Sequence, residues 1–285
     1  MIVLRALVLL LICAGAANAA TPAGVTVVRD VAYGPAKLQT MDVYLPAESK
    51  SKAAPVILMV HGGAWRFGDK RHPPVVENKV ARWVPKGFIF ISVDYPMVPE
   101  SNPVAQADDI ARALAAAQTA APGWGGDPAR FILMGHSAGA HLVSLLNADP
   151  SRAVGVGAKP WRGTVSLDSG ALDVPAIMNH RHARLYDQAF GDDPALWEAS
   201  SPIHHLTKDS PPWLGVCSTS RVLSYGTNQV YAAKSTEHGT RAETLGEPLS
   251  HGEINAELGK PGAYTDAVEA FMASLDPNVA ALLKP

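Results

Sequence analysis

The sequence predicts an α/β fold: a mostly parallel central sheet flanked by helices on both faces, with an insertion over the C-terminal edge of that sheet. Three observations predict it. Short, unalternating apolar runs recur at Pro55–Val60, Phe88–Val93 and Phe131–Gly135, as expected of strands covered on both faces. Helix-like stretches lie between these runs, and strand–helix alternation is the signature of parallel crossovers. Hydrophobic residues make up 47% of the chain and charged residues 18%, enough for a large core and against disorder.

Taken in order, the first segment stands apart. Met1–Arg5 is a short positive start, Ala6–Ala17 is apolar but too short to anchor in a bilayer, and Ala17-Asn18-Ala19 has the A-x-A form of a cleavage site. Residues 1–19 read as a cleaved export signal. Residues 20–285 then form a single domain, placed in the periplasm or secreted, with no membrane span after cleavage. Cys217 would be the one cysteine left, so no internal disulfide is expected.

Val25–Arg29 and Leu38–Leu45 alternate apolar and polar residues and predict antiparallel strands at the start of the sheet. The three apolar runs follow, with Thr164–Leu167 and Trp213–Cys217 as later strands. Helices are expected over Val75–Lys86, Asn102–Ala121, Ala138–Ala148, Asn228–Glu237 and Ala263–Leu275. In the second of these, Asn102 is a cap candidate with Pro103 at the first position, and Ala107, Ile110, Ala111 and Leu114 share one face. Val174–Pro212 fits neither period and is the insertion, lying where pockets form.

Net charge is −2, which supplies no basic field for a nucleic acid. No phosphate-binding G-x-x-x-x-G-K-[ST] occurs. His180-Arg181-His182 and His204-His205 lack the partners of a recognisable metal spacing. Neither a metal nor another cofactor is called for.

Two glycine motifs carry chemistry. Gly135-His136-Ser137-Ala138-Gly139 sits between a strand-like and a helix-like run, the setting of a nucleophile elbow. His61-Gly62-Gly63-Ala64-Trp65 follows another buried strand and suits an oxyanion loop, in which small residues let backbone N–H groups reach a developing negative charge. Gly63, Ala64 and Ala138 are the expected donors.

With Val93-Asp94-Tyr95, Trp124–Pro128 and Ser250–Asn255, these motifs make the chain resemble the serine esterases and lipases of the α/β-hydrolase superfamily over residues 25–275. It is most similar to bacterial carboxylesterases of the feruloyl-esterase-like and arylformamidase-like type. The resemblance implies a serine nucleophile, Ser137, and a histidine base near the C-terminus. His251 fits that base; His238, beside Gly239 at a helix end, is its rival.

The acid departs from the family pattern. Such enzymes place an Asp after the strand that reads Trp213–Cys217, yet no carboxylate occurs between Ser210 and Lys234. Asp168, just past Thr164–Leu167, is the first alternative, Asp173 the second, and a site without a direct acid the third. Trp65, Tyr186 and Trp197, with Phe190, are candidate pocket walls, or plain packing. The implied activity is hydrolysis of small carboxylic esters through an acyl-enzyme on Ser137. The alternatives are an inactive hydrolase-fold binding protein, or an amidase, formamidase or acyltransferase using the same residues.

Overall fold

The computed structural model describes residues 23–47 and 53–284. The expected export signal at residues 1–19 lies outside the described residues. Eight strands form one sheet in the order β1-β2-β4-β3-β5-β6-β7-β8. They are β1 (Val25–Ala32), β2 (Thr40–Pro46), β3 (Ala54–Val60), β4 (Ile89–Val93), β5 (Gly126–His136), β6 (Gly163–Leu167), β7 (Trp213–Ser218) and β8 (Ala242–Glu247). β2 pairs antiparallel with β1 and β4, and every other pairing is parallel. All of β3, β4, β6 and β7 is buried, which is why those segments read as continuous apolar runs.

The helices are α1 (Pro73–Trp83), α2 (Pro103–Ala120), α3 (Ala138–Ala148), α4 (Ser151–Gly155), α5 (Val174–Met178), α6 (Arg184–Phe190), α7 (Pro194–Ala199), α8 (Val222–Glu237), α9 (His251–Ala256), α10 (Ala263–Leu275) and α11 (Pro277–Leu283). Two separate apolar clusters cover the two sheet faces. Ile110, Leu114, Leu142 and Val143 belong to one, through α2 and α3. Val80, Trp83, Val268, Phe271 and Val279 belong to the other, through α1, α10 and α11. Burying each such side chain contributes about 1.5–3 kcal/mol. Asn102 caps α2 by accepting from the Ala105 N–H at 3.0 Å.

Three features differ from the sequence reading. β8 was not expected: Ala-Glu-Thr-Leu-Gly-Glu lacks a clean apolar period, because an edge strand keeps polar residues against solvent. α8 starts six residues earlier than Asn228, since exposed Val222 and Leu223 and an interior Gly226 hide its helical pattern. His251 opens a short helix that is missing from the expected helices. It is the first residue of α9, closed by a capping box in which the Ser250 hydroxyl accepts from the Glu253 N–H while Glu253 accepts from the Ser250 N–H. The insertion between β6 and β7 consists of the short helices α5, α6 and α7 and a 3₁₀ turn at Pro202–His204.

Candidate active site

Ser137 lies at the turn between β5 and α3 with φ 56°, a left-handed conformation that a serine adopts only under constraint. The constraint is visible. Its N–H donates to Leu167 O at the end of β6 (2.9 Å). Behind it, Gly139 packs so closely on β3 that a Cβ there would stand 2.3 Å from Val60 O. The turn therefore lifts the Ser137 hydroxyl out of the sheet.

His251 Nε2 lies 3.0 Å from Ser137 Oγ, and His251 Nδ1 lies 2.6 Å from Asp168 Oδ2. Asp168 is the residue immediately after β6 and also has a positive φ, 56°. Its carboxylate is fully buried and every polar neighbour donates to it: Ser218 N–H (3.2 Å), Ser224 Oγ (3.4 Å), Arg221 Nη1 (2.6 Å) and His251. Burial alone would raise its pKa; hydrogen bonds from His251 and Arg221 outweigh that and hold it below the usual carboxylate range. An ionised Asp168 requires the proton of His251 on Nδ1, which leaves Nε2 free to accept from Ser137. Arg221 Nη1 also lies 2.9 Å from His251 Nδ1. Both are donors that converge on one carboxylate oxygen, so the short separation follows from a shared acceptor.

The structure thus brings Ser137, His251 and Asp168 together. Asp173 is elsewhere: its Oδ1 caps α5 through the Ala176 N–H at 3.0 Å. His238 terminates α8.

The loop His61–Trp65 abuts Ser137. A Cβ on Gly62 would stand 2.9 Å from Ser137 Cβ. Gly63, Ala64 and Trp65 all have positive φ (121°, 53° and 59°), and Arg66 N–H and Phe67 N–H both turn back onto Gly63 O. The N–H groups of Gly63, Ala64 and Ala138 donate to no acceptor among the described residues, which leaves them available to an oxyanion. Trp65 O accepts from the Val98 N–H and Gln106 Nε2, and Lys70 ties the far end of the loop to Asp94 through both its N–H and its ammonium (2.7 and 2.8 Å).

Of the expected pocket walls, Tyr186 borders a cleft of about 770 Å³ beside the triad acid. Trp65 and Trp197 line neither this cleft nor the cavity on the other side of the site. Trp65 is buried; its indole N–H donates to His141 Nδ1 at 3.0 Å and its ring packs on Phe190. Trp197 donates to Gly191 O within its own helix region. Phe190 is likewise core. Indoles whose N–H finds an internal partner are braces for the loop they come from. A second cavity of about 430 Å³ lies on the other side, between Gly63, Phe67, His136 and Gly252. Among the described residues, no three His, Cys, Asp or Glu side chains are grouped to hold a metal.

Four residues act on the site without having been singled out for it. Arg221 stands where the family's acid would be. His136, inside the nucleophile motif, donates from Nε2 to His251 O at 2.9 Å and packs against its ring; burial, together with the neighbouring imidazole, pushes its pKa down to about 3, so it stays neutral. Asn78 and Lys79 of α1 hold the C-terminal end of α9: Asn78 Nδ2 donates to Ala256 O, and Lys79 Nζ donates to Asn255 O, Asn255 Oδ1 and Pro74 O. Lys79 was detectable as a charge on the apolar face Val75, Val76, Val80 and Trp83.

The strand order and the turn that carries Ser137 are those of the α/β-hydrolase fold. Comparison with known proteins agrees. Residues 41–153 match the BD-FAE family model. Esterase LipQ of Mycobacterium tuberculosis is 30% identical over 197 residues, covering 65% of this chain and 46% of that protein. Esterase LipC of the same organism is 27% identical over 199 residues, covering 65% and 49%. The chain spans about half the length of these curated relatives. A truncated carbohydrate esterase from gut microbiota superposes with TM-score 0.73 at 18% identity, over 91% of this chain and 99% of that one. The chain has the α/β-hydrolase fold and is similar, over part of its length, to the BD-FAE family model and to the LipQ and LipC esterases.

Proposed function

We propose that the protein is a serine carboxylesterase acting on small carboxylic esters. The observation that carries this reading is the unbroken relay Ser137 Oγ, His251 Nε2, His251 Nδ1, Asp168 Oδ2, with links of 3.0 and 2.6 Å. His251 takes the Ser137 proton as Oγ attacks the ester carbonyl. Gly63, Ala64 and Ala138 hold the resulting oxyanion, each such donor contributing roughly 2.7–4 kcal/mol to the transition state. His251 then protonates the departing alcohol. Water, deprotonated by the same imidazole, cleaves the acyl-enzyme to release the acid and restore Ser137.

The related esterases LipQ and LipC support an ester over an amide substrate. In this reading residues 1–19 direct export and are removed, leaving the enzyme in the periplasm or outside the cell; N-terminal sequencing of the natively produced protein tests that part. Among the described residues, no helix is long and apolar enough to cross a membrane.

Hydrolysis of p-nitrophenyl acetate to octanoate by the protein and by Ser137→Ala tests the activity. Turnover abolished in the variant is expected. Equal rates in both would remove Ser137 from the reaction, and no turnover by folded wild-type protein would overturn the reading.

A further inference from the structure

The cleft of about 770 Å³ on the acid side of the triad has a composition that the reaction itself does not require. Its apolar lining includes Ile177, Tyr186, Val222 and Leu223, the last two 73% and 88% exposed at the rim. Arg221 and Arg181 supply its charge. Arg221 directs Nη1 at Asp168, while its Nε and Nη2 have no partner among the described residues. Arg181, between α5 and α6, has no acidic partner among the described residues.

The other charged groups facing the cleft are accounted for locally. His182 has acceptors at both ring nitrogens, His180 O at 2.7 Å and Asp187 at 2.8 Å, a pattern that only an imidazolium satisfies, and Asp187 balances it. His180 donates from Nδ1 to Ala176 O. Asp173, the one carboxylate of the lining, caps α5 and faces His204 at 3.9 Å. The Tyr186 hydroxyl has no hydrogen-bond partner among the described residues. What remains without a partner among the described residues is the exposed Arg181 guanidinium, half of that of Arg221 and a phenol, around an apolar floor.

We propose that this cleft binds a carboxylate carried by the ester substrate, held by Arg181 and the free edge of Arg221, with the apolar part of the same group lying on Tyr186, Ile177 and Leu223. The inference rests on the esterase reading. It specifies the substrate class as an anionic half-ester: the carboxylate belongs either to a dicarboxylic acyl group or to a carboxylated alcohol. Guanidinium–carboxylate pairs are forked and strong, so the charge should be felt as selectivity.

The test uses binding to Ser137→Ala, read by calorimetry, so that it stands apart from turnover. Two matched pairs separate the sources: mono-p-nitrophenyl glutarate against p-nitrophenyl valerate, and 4-acetoxybenzoate against phenyl acetate. In at least one pair the anionic member should bind about tenfold more tightly, as one charge-assisted pair supplies. Adding Arg181→Gln should erase that preference, while Arg184→Gln, equally exposed but outside the cleft lining, should keep it. No anionic preference in either pair overturns the proposal, as does a preference that survives Arg181→Gln. Absence of wild-type ester hydrolysis would instead strike the esterase reading, and the binding result would still decide the cleft.

Discussion

Replacing Asp168 by Asn puts the relocated acid under direct test. The substitution keeps the shape of a fully buried side chain. Its chemistry is wrong on both sides. One carboxylate oxygen accepts from Arg221 Nη1 and His251 Nδ1, the other from Ser218 N–H and Ser224 Oγ. Toward the carboxylate all four donate, so an amide NH₂ meets two donors when turned to Arg221 and His251 and the Ser218 N–H when turned the other way, where only the Ser224 hydroxyl can rotate to accept. If the NH₂ faces His251, the imidazole must present Nδ1 as acceptor and move its proton to Nε2, where it can no longer take the proton of Ser137. Loss of the correct tautomer in such a triad lowers kcat by about 10⁴, or about 5.4 kcal/mol at about 1.36 kcal/mol per tenfold. The unmatched donor contacts should also lower stability by about 1–3 kcal/mol. Steady-state hydrolysis of p-nitrophenyl butyrate, with urea unfolding to show the variant is native, measures both. A folded Asp168→Asn enzyme within tenfold of wild type would refute the assignment of Asp168 as the acid.

Other expectations follow from neighbouring groups. Lys79→Met should reduce kcat several-fold and stability by about 1–3 kcal/mol, because Pro74 O, Asn255 O and Asn255 Oδ1 lose their donor and α9 loosens under His251; unchanged kcat would show that α9 holds without it. His141 is completely buried, accepts from Trp65 Nε1 on Nδ1 and donates from Nε2 to Ser200 O, and burial pushes its pKa down to about 4 from 6.5. The unfolded chain then binds the extra proton first, so stability falls as pH drops from about 6.5 toward 4. Wild type should lose about 2 kcal/mol between about pH 7 and 5 that His141→Gln does not lose. Equal pH dependence in urea unfolding of the two proteins would refute the neutral assignment.

The buried parallel strands and the two glycine motifs were legible because each is local. A strand covered on both faces must be apolar throughout, and an elbow or an oxyanion loop needs small residues at fixed spacing. β8 was not legible, since an edge strand satisfies solvent on one side and carries no period strong enough to read. Trp65 and Trp197 were read as candidate pocket walls because their size suits a pocket. Their N–H groups find internal partners: that of Trp197 is the nearby Gly191, while that of Trp65, His141, is set by tertiary structure alone. The same holds for Lys79, whose three acceptors come from two segments nearly 180 residues apart in the chain.

The position of the acid, by contrast, follows from strand geometry once the sheet is known. β6 and β7 are adjacent and parallel, with Leu167 opposite Val216, so the chain leaves both strands at the same level. The Asp168 N–H still bonds to Val216 O at 2.7 Å, and the Ser218 N–H reaches back to the Asp168 carboxylate. A carboxylate at the end of β6 therefore reaches the same Nδ1 that one placed after β7 would reach. The loop after β7 carries no carboxylate. Arg221 fills it, donating to both the backbone and the side chain of Asp168 at 3.1 and 2.6 Å. A carboxylate at the end of β6 and a cation in the loop after β7 are thus two halves of one arrangement. The second half leaves the outer edge of the guanidinium turned toward the cleft, where a substrate carboxylate can use it.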